Sequence, residues 1–291
     1  MEEIFIAPFV DNQYMLTALL ASILISLTCA IAGTFVVLRG LAFIGDALSH
    51  GLLPGIAVAI IFGASGILGA AIGSVVMMGG VNLVTSRYKL SSDTAIGLLF
   101  VGMLALGVLI TSSSSKLPED LDHILFGESL AVNSTDLIWQ SIAFLIVGCI
   151  GVLARRPFLL MSVDDGLAQT SGFNLKFFQN LMMGMIALTV IASFQTVGTL
   201  LVLGMLVAPA ATAVLFARRI SSMMLIASVI GSIASYVGLL ISFHYELAAS
   251  ASIVLVAVTI FALGAIASEI KRNRRVRHDE LPHQHEHAHV H

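Results

Sequence analysis

Residues 51–80 read GLLPGIAVAIIFGASGILGAAIGSVVMMGG, a stretch without a single charged side chain. A helix that crosses a bilayer needs about 20 consecutive apolar residues, so this stretch belongs to more than one crossing. A turn signal, Gly63-Ala64-Ser65-Gly66, interrupts it. The sequence therefore predicts two transmembrane helices, at about 41–62 and 66–85, joined by a tight turn.

The rest of the chain has the same character. Of its 291 residues, 11% are charged and 58% are hydrophobic, whereas about 25% of the residues in a soluble domain are charged. Further apolar runs occur at 15–38, 94–113, 137–154, 177–194, 197–217, 220–243 and 247–268. We therefore predict an all-α, polytopic transmembrane helix bundle of about nine spans. The membrane domain is expected at 1–270, followed by a basic, His-rich cytoplasmic tail at 271–291.

The positions of Lys and Arg predict the orientation of the chain, because cytoplasmic loops carry an excess of them. With the N-terminus outside and the C-terminus inside, 13 of the 14 Lys and Arg residues are cytoplasmic. Lys116 is the exception. The segment Met1 to Asp11 holds three acids and no Lys or Arg, so it lacks the positive region of a cleavable signal peptide.

An aspartate and a histidine lie inside the second predicted span. Asp46 and His50 are four residues apart, which places both side chains on one face of a helix. Ionisable groups within a span are expensive and point to a function, and first-row divalent metals accept carboxylate with imidazole. Pro54 suggests a third contact, because it has no amide hydrogen for the carbonyl of His50. We therefore expect a transition-metal site.

The structural alternative is that Asp46 caps the helix and His50 donates one interhelical hydrogen bond. The ligand spacing favours the metal site, although two ligands do not complete a tetrahedral or octahedral sphere. A two-fold dimer would bring a second Asp46/His50 pair to its axis and supply four ligands. A second copy of the chain is therefore an expected partner.

Other polar or helix-breaking residues are weaker candidates. Arg39 is expected to anchor the first cytoplasmic turn rather than to pair with an acid. His244 and Glu246 fall at the outer end of a span, where a solvated role is expected. Pro209 predicts a kinked or broken seventh helix, and broken helices can line a transport pathway.

The tail offers alternating histidines, which suit weak capture of metal by an extended chain. They are His283, His285, His287, His289 and His291.

Charge, cysteines and motifs exclude several classes of protein. A net charge of −3 gives no indication of a nucleic-acid partner. Cys29 and Cys149 lie in apolar runs and are expected to be buried hydrophobes rather than a disulfide. The chain contains no Gly-Lys pair and hence no phosphate-binding loop of the Walker type. If ATP drives transport, another polypeptide must bind it, and no catalytic residue or permanent cofactor is expected here.

Residues 36–55, VVLRGLAFIGDALSHGLLPG, resemble the signature of the manganese/zinc/iron ABC-transporter permeases, the ABC-3 family. Further segments resemble the family in the same order along the chain. They are SDTAIG at 92–97, HILFG at 123–127, QTVGT at 195–199 and APAATA at 208–213. The resemblance covers about residues 14–268.

The resemblance implies a homodimeric permease in the lipid of a bacterial plasma membrane, which imports manganese or zinc. Its implied partners are two cytoplasmic ATPase subunits and an extracellular metal-binding protein. Asp46 and His50 match the family's metal-pathway positions, and the segment 164–172 resembles the coupling helix that docks on the ATPase. The ATPase-coupling residues implied in this way are Asp164, Asp165, Ala168 and Gly172.

Two other functions fit parts of the pattern. A gradient-driven metal carrier would use the same ligands, because ligands near the membrane midplane do not reveal the energy source. Gly63-Ala64-Ser65-Gly66 also matches the GxSG of intramembrane serine proteases, with His244 as a conceivable base. The protease is the remote alternative, because Ser65 falls in the turn between two spans. Co-purification of an ATPase would exclude the carrier.

Overall fold

A computed structural model describes residues 7–88, 90–112 and 132–279. These residues form helices and no strand, which confirms the all-α fold class. In chain order the helices are α1 Ala7–Asp11, α2 Gln13–Leu38, α3 Ile44–Gly51, α4 Leu53–Ile61, α5 Gly66–Tyr88, α6 Ser92–Ser112, α7 Ser134–Leu153, α8 Arg155–Val163, α9 Asp165–Thr170, α10 Leu175–Phe216, α11 Ile220–Tyr245 and α12 Ala249–Asp279.

Eight segments of the described residues are long and apolar enough to cross a membrane. Helices α3 and α4 form one of them, Ile44–Ile61, because Leu52 between them keeps helical torsion angles (φ −74°, ψ −30°). The seventh predicted span is instead the shorter helix Leu201–Phe216. At 1.5 Å per residue it is about 24 Å long, less than the ~30 Å of a hydrocarbon core.

The break in α10 lies at Gly198 and not at Pro209. Gly198 has φ 74° and ψ 167°, a combination that essentially only glycine adopts. The helix continues through Pro209, so the predicted break at that residue is wrong, and the predicted kink there stays a prediction. Membrane helices tolerate proline where neighbouring groups compensate for the lost backbone hydrogen bond.

Helix α2 organises the bundle, because α7, α10 and α11 all pack on it. Small residues make this packing close: Gly33 lies against the backbone of Leu206, and Gly231 lies against the side chain of Ser26. A methyl group at either glycine would overlap its neighbour. Close approach through small residues is the usual way in which helices associate in lipid.

The turn predicted at 63–66 is present, and it brings α4 and α5 together. Helix α4 ends at Ile61, Gly63 takes φ +72°, and α5 begins at Gly66. The two helices then cross with Gly55 and Gly69 backbone to backbone. This contact holds α4, and with it the preceding α3, against α5.

The sequence predicts one short cytoplasmic helix at 162–174, with Ser162 or Asp164 as its cap and Gly172 as a left-handed end. The segment contains parts of two helices. Ser162 lies within α8, and Asp164 caps α9 by accepting a hydrogen bond from the amide of Gly166 at 2.6 Å. Gly172 follows α9 with φ +82°, as the prediction of a left-handed helix end required.

Candidate metal pathway and the ion pair near it

Asp46 and His50 point to the same side of α3. The Oδ1 atom of Asp46 and the Nε2 atom of His50 are 3.5 Å apart. Between them along the helix, Ala47, Leu48 and Ser49 are buried. The Asp46 and His50 side chains are 36% and 25% exposed, so the pair occupies the accessible stripe of an otherwise buried helix.

Three neighbouring helices hold α3 in place. Gly51 packs against Met77 of α5, and Gly45 packs against Leu206 of α10. On α6, the ring of Phe100 meets the imidazole of His50 edge to face, with ring centres 5.4 Å apart. The sequence does not distinguish Phe100 from the other apolar residues of its span, so this contact could not be predicted.

The imidazole of His50 retains unused bonding capacity. Its buried Nδ1 atom has no hydrogen-bond partner in the described part of the chain. The 3.5 Å between Nε2 and Asp46 Oδ1 is beyond the 2.7–3.2 Å of ordinary N–H···O bonds. The amide of Leu52 donates to the carbonyl of Leu48 at 3.0 Å, and Pro54 has no amide hydrogen to donate to the carbonyl of His50.

The remaining candidate residues do not join this pair. Within residues 7–88, 90–112 and 132–279, no group of three or more His, Cys, Asp or Glu side chains could hold a metal. The imidazole Nδ1 of His244 lies 2.9 Å from the carbonyl of Leu240, and Glu246 ends α11 with φ 52°. The five tail histidines lie outside the described residues.

The serine-protease alternative finds no support in the described residues. Ser65 is exposed in the α4–α5 turn, where its hydroxyl accepts a long hydrogen bond of 3.4 Å from the amide of Leu68. In the part of the chain that is described, no hydrogen bond joins Ser65 to His244.

The two cysteines differ in their environment. Both are free, as predicted, and Cys29 is buried. Cys149 is exposed on α7, so the expectation that both would be buried was wrong. An apolar run in a membrane helix also covers the surface that faces lipid, and apolarity therefore does not predict burial.

An ion pair at one end of the bundle joins two distant segments of the chain. The Nη2 atom of Arg39 lies 2.7 Å from Oδ1 of Asp165, and their side chains are 14% and 52% exposed. Burial lowers the pKa of the Arg39 guanidinium from its usual value, and the Asp165 carboxylate partly opposes that shift. Arg39, expected to act as an anchor, is therefore also half of a long-range pair.

Helix α9 presents a mixed surface beside this pair. Ala168 is completely buried, so its side chain fastens α9 to the protein rather than facing outward. Val163, the last residue of α8, is 71% exposed, and Leu167 of α9 is 48% exposed. Exposed apolar side chains at the junction of two short helices resemble an unpartnered protein-binding surface.

Comparison with known proteins places this arrangement in a family. The family model described as the ABC 3 transport family matches residues 11–268. The chain is 40% identical to the manganese transport system membrane protein MntC of Halalkalibacterium halodurans over 260 residues, 89% of each chain. It is 37% identical to the manganese import system permease protein ScaB of Streptococcus parasanguinis, over 92% of this chain and 98% of that one.

Its fold is also similar to that of a solved structure, PsaBC from Streptococcus pneumoniae in complex with Fab. The TM-score is 0.80 at 33% identity, and the match covers 91% of this chain and 95% of that chain. Since the family model spans nearly all of the membrane helices, the chain belongs to the ABC 3 transport family.

Proposed function

We propose that this chain is the membrane-spanning subunit of an ATP-driven importer of divalent transition metal, with manganese or zinc as its cargo. The observation that carries the proposal is the Asp46/His50 pair, partly exposed on a span, with Oδ1 and Nε2 3.5 Å apart. The names of the relatives, manganese transport and manganese import proteins, support the choice of metal to test first.

The spacing of the pair suits a shared ion. Two ligand atoms at about 2.1 Å from one metal lie about 3.0 Å apart at octahedral angles and about 3.4 Å apart at tetrahedral angles. The observed 3.5 Å is close to the tetrahedral value and needs only a small side-chain rotation for the octahedral one. Oxygen and nitrogen ligands together suit manganese and zinc alike, so the pair alone does not select between them.

A second copy of the chain would complete the site. A carboxylate that is 36% exposed cannot face hydrocarbon without a large cost. A two-fold interface over the accessible stripe of α3 would remove Asp46 from lipid and bring four ligands to one axis. A dimer would thus supply the missing ligands and cover the exposed Asp46 carboxylate.

The chain is a multi-pass protein of the bacterial plasma membrane. Positive residues at the end that carries Arg39 and α9 support placing this end in the cytoplasm. There, α9 and the exposed side chains of Val163 and Leu167 would meet an ATPase, one for each copy of the permease. An extracellular metal-binding protein would deliver the ion to the opposite end. The permease domain is proposed at 1–270 and the tail at 271–291.

The test is metal uptake by proteoliposomes that contain the permease with its ATPase and binding protein. We expect ATP-dependent uptake of manganese, zinc or both, and its loss in Asp46→Ala and in His50→Ala while the dimer remains folded. His244→Ala is the matched control, because within the described residues that imidazole meets only its own helix, at the carbonyl of Leu240 and at the ring of Phe243.

Normal transport by both pair variants would establish the capping-and-packing role instead. Uptake that persists without ATPase and follows an ion gradient would identify a gradient-driven carrier.

A further inference from the structure

The turn between α2 and α3 links the metal-binding helix to the helix proposed to meet the ATPase. We infer that the Arg39–Asp165 ion pair transmits movement of α9 to α3, and thereby controls the positions of Asp46 and His50. This inference rests on the proposed function, because it takes α9 to be the ATPase-facing helix. Arg39 acts here as a positioning residue and touches no metal.

The ion pair is suited to carry force because Arg39 is almost enclosed. Its side chain is only 14% exposed, and Asp165 accepts its hydrogen bond at 2.7 Å. A fully solvated ion pair exchanges its partners for water at little cost. A charge that is largely buried leaves its partner much less readily, because separation would strand it without solvent. Movement of α9 would therefore pull Arg39 with it.

The backbone on the other side of Arg39 is firmly bonded to both helices. The Leu41 amide donates to the carbonyl of Val36 at 2.9 Å, and the Gly40 amide donates to that of Val37 at 3.2 Å. With Gly40 at φ +68°, these bonds form a Schellman motif that closes the end of α2. The Leu41 carbonyl then accepts from the amide of Ile44, the first residue of α3. Such a turn passes a displacement on rather than absorbing it.

The turn has space in which to move. A cavity of about 370 Å³ adjoins it, lined by residues 39–41, by Ser91, Ser92 and Asp93 at the start of α6, and by Gln179 and Met183 of α10. A shift of the turn into this cavity would tilt the start of α3 without breaking close packing. Helix α6 leads from the same cavity to Phe100, which touches His50. The α2–α3 turn, which leads to Asp46 and His50, and the start of α6, which leads to Phe100, therefore both adjoin this cavity.

The decisive experiment measures how nucleotide alters the α2–α3 turn. Phe43, 72% exposed in this turn, is replaced by Cys after Cys29→Ala and Cys149→Ala. Labelling by a charged maleimide is compared in nucleotide-free and ATP-vanadate-trapped permease–ATPase complexes. Into this background we introduce Arg39→Gln, Asp165→Asn, Arg39→Lys, and the charge swap Arg39→Asp with Asp165→Arg. Arg87→Gln is the matched control, since Arg87 is exposed at the same end and forms no ion pair within the described residues.

We expect nucleotide to change the labelling rate by about tenfold in the parent and in Arg87→Gln, as for a typical allosteric coupling. Arg39→Gln and Asp165→Asn should reduce this response to less than about twofold while the ATPase still co-purifies. Metal transported per ATP should fall in parallel. Arg39→Lys and the charge swap should recover most of both, because each restores a cation opposite an anion.

The inference is overturned if nucleotide changes the labelling rate of Arg39→Gln as much as that of Arg87→Gln, or if it does not change the labelling rate of the parent. It is also overturned if the labelling response of the charge swap is no larger than that of the single variants. Loss of the ATPase from Arg39→Gln would also overturn it, by assigning the pair to docking. Different results would contradict the proposed function. One is that no ATPase binds the parent protein. The other is that the permease–ATPase complex shows the labelling response that depends on Arg39 but transports neither manganese nor zinc.

Discussion

Replacing Gly69 by Ala should separate α4 from α5. A methyl group at position 69 would lie 2.7 Å from Cβ of Ala59 and 2.8 Å from the carbonyl carbon of Gly55, with the oxygen of Gly55 closer still. To restore an ordinary contact of at least 3.4 Å with Ala59, the helices must move apart by about 0.7 Å. The obstructing atoms belong largely to backbone and cannot rotate away.

The expected cost follows from two opposing effects. Alanine favours a helix over glycine by about 1 kcal/mol, whereas overpacking costs about 1–3 kcal/mol. Gly79→Ala on the same helix isolates the first effect, because nothing lies within 4 Å of the added methyl group. Gly69→Ala should therefore be less stable than Gly79→Ala by about 1–3 kcal/mol, towards the upper end because of the backbone contact.

The assay is reversible unfolding of the purified protein in mixed micelles of increasing SDS content, with both variants measured beside the parent. Transport should fall in Gly69→Ala as well, since α4 continues directly from α3 and carries the Asp46/His50 pair with it. Equal unfolding free energies for Gly69→Ala and Gly79→Ala would refute the reasoning. Such a result would mean that α4 and α5 can separate without loss.

Three further predictions address other parts of the chain. Gly198→Ala should lower the unfolding free energy by about 1–3 kcal/mol relative to Gly184→Ala on the same helix, because alanine is strained at φ 74°, ψ 167°; equal stabilities in SDS titration would contradict this. Reversing the charge at Asp164 and Asp165 together, which also removes the Asp164 cap of α9, should weaken ATPase co-purification and uncouple hydrolysis from transport, whereas a change at Asp165 alone should leave the ATPase bound; unchanged pull-down and ATPase rates in the double variant would count against α9 as the docking helix. Deleting residues 279–291 should preserve uptake at saturating metal; complete loss of uptake with normal expression would place the tail in the transport mechanism. An isolated tail peptide should bind zinc more tightly than manganese, and this binding should be lost below about pH 6.5 because the histidines become protonated.

The parts of the fold that depend on neighbouring residues in sequence could be predicted. A bilayer imposes a minimum apolar length, so the helices of the membrane domain were recognisable in the sequence. The turn at Gly63 and the helix end at Gly172 followed from the freedom of glycine to adopt positive φ, which both show. The pairing of Asp46 with His50 required only the i, i+4 geometry of a helix.

The parts that depend on how helices pack could not be predicted. Membrane helices are apolar on all sides, so their sequence does not reveal which side meets another helix and which meets lipid. Hence Cys149 proved exposed, Phe100 was not singled out beside His50, and the partner of Arg39 was not foreseen. Proline also proved a poor guide to the break in α10, because context within the bundle decides whether a lost hydrogen bond bends a helix.

The exposure of Asp46 connects the stability of the chain with its proposed transport role. A site that is enclosed within one chain would bind an ion but release it slowly, because several helices would have to separate. Asp46 and His50 instead line the accessible stripe of α3, where movement of a second copy could open or close access without unpacking the core. If that stripe faced lipid in a single chain, the Asp46 carboxylate would lack solvation at a large cost, which is the reason why we propose a second copy. Under the proposed function, the need for that copy and the capacity to release the ion would have the same physical origin.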